Sequence, residues 1–120
     1  MSAKLQLKPG HSILVVNAPG PPDDLIGPLP EGAFIVAEEP ADAVILFVRN
    51  LAELRNQVPA ATGMVGRDGL IWVAYPKGGS GVATDVNRDV IRVWVEGNTD
   101  LRTVAQVAID PTWSALRLKR

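Results

Sequence analysis

Four short apolar runs constrain this chain more than any other feature: Ser12–Val16 (SILVV), Ala33–Ala37 (AFIVA), Ala43–Val48 (AVILFV) and Leu70–Tyr75 (LIWVAY). A strand with one face in water alternates apolar and polar residues. An uninterrupted apolar run is buried on both faces, which is the situation of a strand inside a parallel sheet. Each run stops at residues that break a strand: Asn17-Ala18-Pro19-Gly20-Pro21-Pro22 after the first, Glu38-Glu39-Pro40 after the second, Arg49-Asn50 after the third and Pro76 after the fourth.

The segments between the runs read as helices in two places. Asn50 followed by Glu53 has the capping-box spacing, and Leu51, Leu54 and Val58 share one helical face. Pro59 is expected to kink or end that helix, because its ring clashes with the carbonyl four residues back. Ala60–Val65 is expected to resume it, with Gly66 and Gly69 closing the segment. Thr84 or Asp85 is expected to cap a second helix carrying Val86, Val90, Ile91 and Trp94, ended by Gly97 and Asn98. Asp23–Ile26 has room for one helical turn. Beyond Asn98 the pattern changes: Thr103–Ile109 and Ser114–Lys119 flank the turn at Pro111-Thr112 and predict an antiparallel hairpin, half exposed at the sheet edge.

The expected architecture is a single α/β domain over residues 1–120: a shortened Rossmann-like, mostly parallel sheet with helices and a C-terminal antiparallel hairpin. The link Glu38–Asp42 is too short for a helical crossover. The second and third strands are therefore either not neighbours in a βαβ sense or joined by a bare loop.

Composition removes several chemistries. The net charge is −1 and the isoelectric point about 5.7, without the basic excess that drives phosphate-backbone binding, so nucleic acid is not an expected partner. With no cysteine there is no disulfide, thiolate metal site or cysteine nucleophile. His11 is the only histidine, which argues against a zinc site. The acids Asp23, Asp24, Glu38, Glu39 and Asp42 read as turn and surface charge, so no metal is assigned. No apolar run approaches the roughly 20 residues of a membrane helix, and the N-terminal residues lack a signal-peptide pattern; the expected location is the cytoplasm. Trp72 and Trp94 sit on apolar faces and read as core, whereas Trp113 is expected to cover the sheet edge or a neighbouring subunit, and the hairpin edge offers a route to a homodimer.

A mostly parallel sheet ending in an antiparallel hairpin resembles the class I S-adenosylmethionine-dependent methyltransferase fold in shortened form. Local phrases (Lys8-Pro9-Gly10-His11, LIWVAYPK at 70–77, Ser80 to Asp85, and Ile109 to Arg117) also resemble a bacterial family of small proteins known only as a domain without an assigned activity. The methyltransferase resemblance implies a glycine-rich turn after the first strand and an acid after the second for ribose hydroxyls. Glu38 and Glu39 occupy the second position. The first holds one glycine among three prolines, and prolines remove amide donors. No cofactor is assigned.

One loop retains ligand-binding character. Lys77, Gly78, Gly79, Ser80 and Gly81 lie between a strand and a helix start, at the edge where open α/β sheets bind ligands, and Thr84 and Asp85 follow. This loop is not a P-loop, because its lysine precedes the glycines. Its plain reading is a flexible turn; its functional reading is a seat for a small anionic ligand, with Glu38 and Glu39 contributing from the second strand. No catalytic residue is assigned, since His11 and Ser12 are adjacent on a strand and point to opposite faces. The leading functional reading is a non-enzymatic ligand-sensing or protein-interaction domain. The alternative is a small-molecule-binding enzyme, a degenerate relative of the methyltransferases.

Overall fold

The computed structural model describes residues 5–21, 25–77 and 84–119. Its strands are Ser12–Val16 (β1), Phe34–Val36 (β2), Ala41–Phe47 (β3), Val65–Pro76 (β4), Arg102–Ala108 (β5) and Trp113–Lys119 (β6). Its helices are Leu51–Ala61 (α1) and Arg88–Asn98 (α2). They form one six-stranded sheet in the order β2-β1-β3-β4-β6-β5. Pairings from β2 to β4 are parallel and both pairings of β6 are antiparallel, so β6 is the one reversed strand among those described.

The expected α/β class, the mostly parallel sheet and the C-terminal antiparallel hairpin at the sheet edge are those observed. Within the hairpin β6 pairs with β4, where Leu116 and Leu118 are buried beside Val73 and Ile71, and β5 faces outward. The register that buries β6 comes from β4, a long-range partner that alternation in residues 114–119 does not report. One strand departs from its expected burial: the run at 33–37 gives β2, a three-residue edge strand with Phe34 52% and Ile35 36% exposed. As the short link requires, β2 and β3 are not neighbours: they flank β1 on opposite sides, with Val36 and Val44 both level with Leu14. The link 37–40 therefore passes β1 as a bare loop.

Both faces of the sheet are covered, in different ways. On one, Leu54, Val58 and Ala61 of α1 and Ile91 and Val95 of α2 pack on Val44, Leu46, Val73 and Leu116. On the other, Leu5, Leu7, Ile26, Ile109 and Trp113 lie over Ile13, Ile45, Phe47 and Trp72. α1 and α2 thus occupy a single face, and among the described residues the opposite face is covered by segments outside these two helices. Trp113 belongs to this second core: it is 7% exposed and meets Phe47 edge to face, ring centroids 5.1 Å apart. That corrects its expected role at an edge or subunit contact. Trp72 is fully buried, as expected, and its Nε1–H donates to the Leu5 carbonyl at 2.9 Å, pinning the N-terminal segment to the sheet.

Helix ends follow side-chain chemistry. Asn50 caps α1, its Oδ1 accepting from the Glu53 N–H at 2.9 Å. The helix continues through Pro59 to Ala61 and does not resume. Pro59 lies in the last turn, where it deprives only the solvent-side carbonyl of Arg55 of a donor, and Ala60–Met64 form a turn that leads into β4. The cap of α2 is Asn87, whose Oδ1 accepts from Val90 N–H at 2.9 Å; neither Thr84 nor Asp85 has that role. The expected turn at Asp23–Ile26 lies partly outside the described residues.

Gly66 and Gly69, expected to precede the strand, lie within β4. Between Ala41↔Val65 and Ala43↔Leu70 the register shifts, with extra β4 residues bulging out. A Cβ on Gly69 would stand 2.5 Å from the Val65 Cβ and 3.1 Å from the Gly66 carbonyl oxygen. Neither atom is the free end of a flexible chain. Gly69→Ala is therefore expected to destabilise the fold by about 1–3 kcal/mol, measured as a lower urea midpoint at unchanged slope.

Candidate functional site at the carboxyl edge of the sheet

In an open α/β sheet, ligands bind outside the carboxyl ends of the strands where the strand order reverses. Here the reversal lies between β1 and β3, since the chain leaves β1 toward β2 on one side and continues from β3 toward β4 on the other. The carboxyl ends at that crevice are Asn17 after β1 and Val48-Arg49 after β3.

The polar groups at this crevice are committed to one another. Asn17 has φ 61°, a left-handed conformation that asparagine tolerates better than most residues. Its Nδ2 donates to the Phe47 carbonyl at 3.0 Å and to Glu53 Oε1 at 3.2 Å. The same Glu53 oxygen accepts from Arg49 N–H at 2.7 Å, and Oε2 lies 3.6 Å from the Arg49 guanidinium. Glu53 thus closes a variant of the expected capping box, reaching the residue before the cap.

Thr84 and Asp85 complete the closure. Thr84 Oγ1 donates to the Arg49 carbonyl at 2.6 Å and accepts from Val86 N–H at 3.2 Å. Asp85 Oδ1 accepts from the Leu51 N–H at 2.8 Å, at the start of α1. These two residues, expected to face a ligand, fasten the approach to α2 onto the N-terminus of α1. Gly78, Gly79, Ser80 and Gly81 lie outside the described residues. Glu38 and Glu39 are exposed beyond the end of β2. Two strands separate β2 from β4, so these acids stand roughly 14 Å from Lys77 at ordinary strand spacing, and the expected site residues do not converge.

A second feature opens beside the end of β4. A cleft of about 300 Å³ is lined by Tyr75, Lys77, Asn87, Arg88, Asp89, Gln106 and Ser114. Its floor is a relay: Arg88 Nη1 donates to Gln106 Oε1 at 3.4 Å, and Gln106 Nε2 donates to the Tyr75 hydroxyl oxygen at 2.8 Å. Asp89 lies against Arg88 at 3.7 Å and Arg92 at 4.0 Å. Of these residues the sequence singled out Lys77 alone. Tyr75 reads as the last residue of an apolar run, and Gln106 and Ser114 reach the cleft through the hairpin's register.

Burial raises the Tyr75 phenol above its ordinary value, and the hydrogen bond from Gln106 opposes that shift. The folded protein therefore holds this proton more tightly than the unfolded chain. Its stabilising contribution is complete below the unfolded phenol value of about 10 and is lost as pH rises through the folded value. Tyr75 is the only tyrosine, so absorbance at 295 nm follows it alone. The native titration midpoint is expected above the midpoint in urea; coincident midpoints would show an unburied hydroxyl.

At the opposite, amino edge, Ser12 N–H donates to Asp42 Oδ2 at 2.9 Å and Asp42 N–H donates to Ser12 Oγ at 3.0 Å, tying the starts of β1 and β3 together. The Ser12 amide holds the Asp42 carboxyl below its usual value. Among the described residues no group of three or more histidines, aspartates or glutamates is placed to hold a metal ion. No helix among them is long and apolar enough to cross a membrane.

Comparison with known proteins places the sheet. No protein-family model matches the chain, and no curated protein matches it. Among solved structures it is similar to a ribosomal protein L11 methylase from Lactobacillus delbrueckii subsp. bulgaricus, with TM-score 0.56 and 10% identity over 98% of this chain and 75% of that one. It is also similar to the B. subtilis M1A22 tRNA methyltransferase TrmK, with TM-score 0.56 and 10% identity over 99% of this chain and 66% of that one. At this identity the likeness is one of fold, and the chain has the methyltransferase-like, Rossmann-like fold that its strand pattern resembles.

Proposed function

We propose that this chain is a non-enzymatic ligand-sensing domain on a methyltransferase-like sheet, taking a small anionic group in the cleft beside Lys77 and Arg88. The observation that carries the reading is the closed crevice: Asn17, Arg49, Glu53 and Thr84 bond to one another, and Asp85 to the Leu51 N–H, where a Rossmann-like sheet would offer groups to a ligand. A cofactor entering there must displace several charge-assisted hydrogen bonds without a glycine-rich turn to replace them. The Lys77 cleft supplies two cations, a hydroxyl pair and two side-chain amides within one small volume; its one carboxylate, Asp89, lies against Arg88 and Arg92, and the donors suit a carboxylate- or phosphate-sized group.

The rival reading, an S-adenosylmethionine-binding enzyme, is supported by the fold likeness alone. Isothermal titration with inorganic phosphate decides the ligand claim. Binding should weaken about tenfold in both Lys77→Met and Arg88→Met, the loss expected of one charge-assisted contact. Binding indifferent to both substitutions would refute the cleft. Methyl transfer from labelled S-adenosylmethionine to any acceptor, abolished by Asp85→Ala, would refute the non-enzymatic reading.

A further inference from the structure

The opposite end of the molecule carries a second cleft with a more one-sided charge. A volume of about 470 Å³ at the amino edge of the sheet is lined by Gln6, Leu7, Lys8, His11, Leu70 and Arg117. Three of the six are basic types, and no carboxylate is among these described lining residues. Lys8, His11 and Arg117 make no salt bridge with another described residue. Asp42, the acid whose carboxyl feels His11, is occupied by Ser12.

The His11 ring and the Arg117 side chain are positioned by hydrogen bonds, the first from the Lys8 backbone. Lys8 N–H donates to His11 Nδ1 at 3.2 Å, which makes Nδ1 the acceptor and leaves Nε2–H as the ring's remaining donor. Arg117 projects from β6, an interior strand, and its Nη1 donates to Gln6 Oε1. Gln6 has φ 61°, an uncommon conformation for a non-glycine residue. Arg117 Nε is covered and has no hydrogen-bond partner among the described residues. Lys8 and Arg117 bring two like charges to one partly enclosed volume, and a bound anion offsets their repulsion, with the His11 N–H beside them as a further donor. Leu7 and Leu70 add an apolar wall, and the volume falls in the range of small-molecule sites.

We propose that the cleft formed by Gln6, Lys8, His11 and Arg117 binds a phosphoryl group, free or as a monoester. It is separate from the Lys77 cleft, at the other end of the strands, so the two proposals stand or fall on different residues. The test is a two-dimensional NMR titration of the full chain with inorganic phosphate and, in parallel, phenyl phosphate, at constant ionic strength against sodium chloride.

The expected result is saturable shifts of the His11 imidazole, the Lys8 amide and the Trp72 indole, whose hydrogen bond to Leu5 lies next to the cleft. Affinity should fall roughly tenfold in Lys8→Met and further in Lys8→Met/Arg117→Met. Tighter binding of phenyl phosphate identifies an ester as the ligand form; equal or weaker binding identifies the free ion. Lys8 lies in a turn outside the strands, so Lys8→Met tests the site even where loss of Arg117 disturbs β6. No saturable shift at these residues, or shifts that chloride reproduces, or affinity unchanged in Lys8→Met, would overturn the proposal.

Discussion

Trp72→Ala is expected to lower unfolding stability by about 3–5 kcal/mol, a large share of the total for a domain of this size. Trp72 is fully buried at the centre of the sheet, paired with Ile45 of β3 and Arg117 of β6. Truncation leaves a cavity between the sheet and the segment that covers it, and also orphans the Leu5 carbonyl that accepts its Nε1–H. The two losses separate in Trp72→Phe, which keeps most of the ring and removes the donor. That variant is expected to lose about 1–3 kcal/mol. Urea unfolding followed by the fluorescence of Trp94 and Trp113 measures both. A loss below about 1 kcal/mol for Trp72→Ala would mean that the segment at Leu5 and Leu7 is not docked on this face.

Glu53→Ala has the second-largest expected effect, about 1.5–3 kcal/mol for hydrogen bonds made by a charged group. One carboxylate accepts from the Arg49 amide and the Asn17 side chain and ion-pairs with Arg49. The Arg49 pair is partly exposed and adds little; the loss comes from the part-buried Arg49 N–H left without its acceptor. Glu53→Gln keeps an acceptor oxygen and should recover more than half of the loss. If the two variants were equally destabilised, the ion pair and not the amide would be what matters. Removing Glu53 also leaves Asn17 held by the Phe47 carbonyl alone, so this variant is the one in which a cofactor-like ligand at the β1–β3 crevice has most to gain.

The same residues show where sequence reading succeeds and where it stops. Continuous apolar runs located β1, β3 and the second half of β4, because burial on both faces leaves a local signature that needs no knowledge of the partner strand. Asn50 announced α1, because a cap is a three-residue event. The run at 33–37 misled because apolar character does not reveal how many neighbours arrive to cover it; β2 is an edge strand that pairs with β1 alone. The place of β6 inside the sheet is set by pairing with β4 across some forty residues, and alternation cannot report it. Thr84 and Asp85 were recognised as polar groups beside a helix start. Their actual partners, Arg49 and Leu51, flank the cap of a different helix brought near by the sheet order. Asn17 carried a signal that was legible in principle, a left-handed-tolerant residue at a strand end ahead of Ala18-Pro19, but its hydrogen bonds across to β3 and α1 are tertiary. The Lys77 cleft was half visible: the lysine stands in the sequence, while Tyr75, Gln106 and Ser114 meet only through strand register.

The closed crevice is tested most directly by titrating labelled protein with S-adenosylmethionine and following the side-chain amide of Asn17 with the backbone amides of Arg49, Leu51 and Glu53. Unchanged signals at millimolar ligand are the predicted result, because each of these groups already has its partner within the protein. Saturable shifts concentrated on Asn17, Arg49 and Glu53 would show that the crevice opens to a cofactor, and would contradict the account of this chain as a methyltransferase-like sheet sealed at its ligand edge.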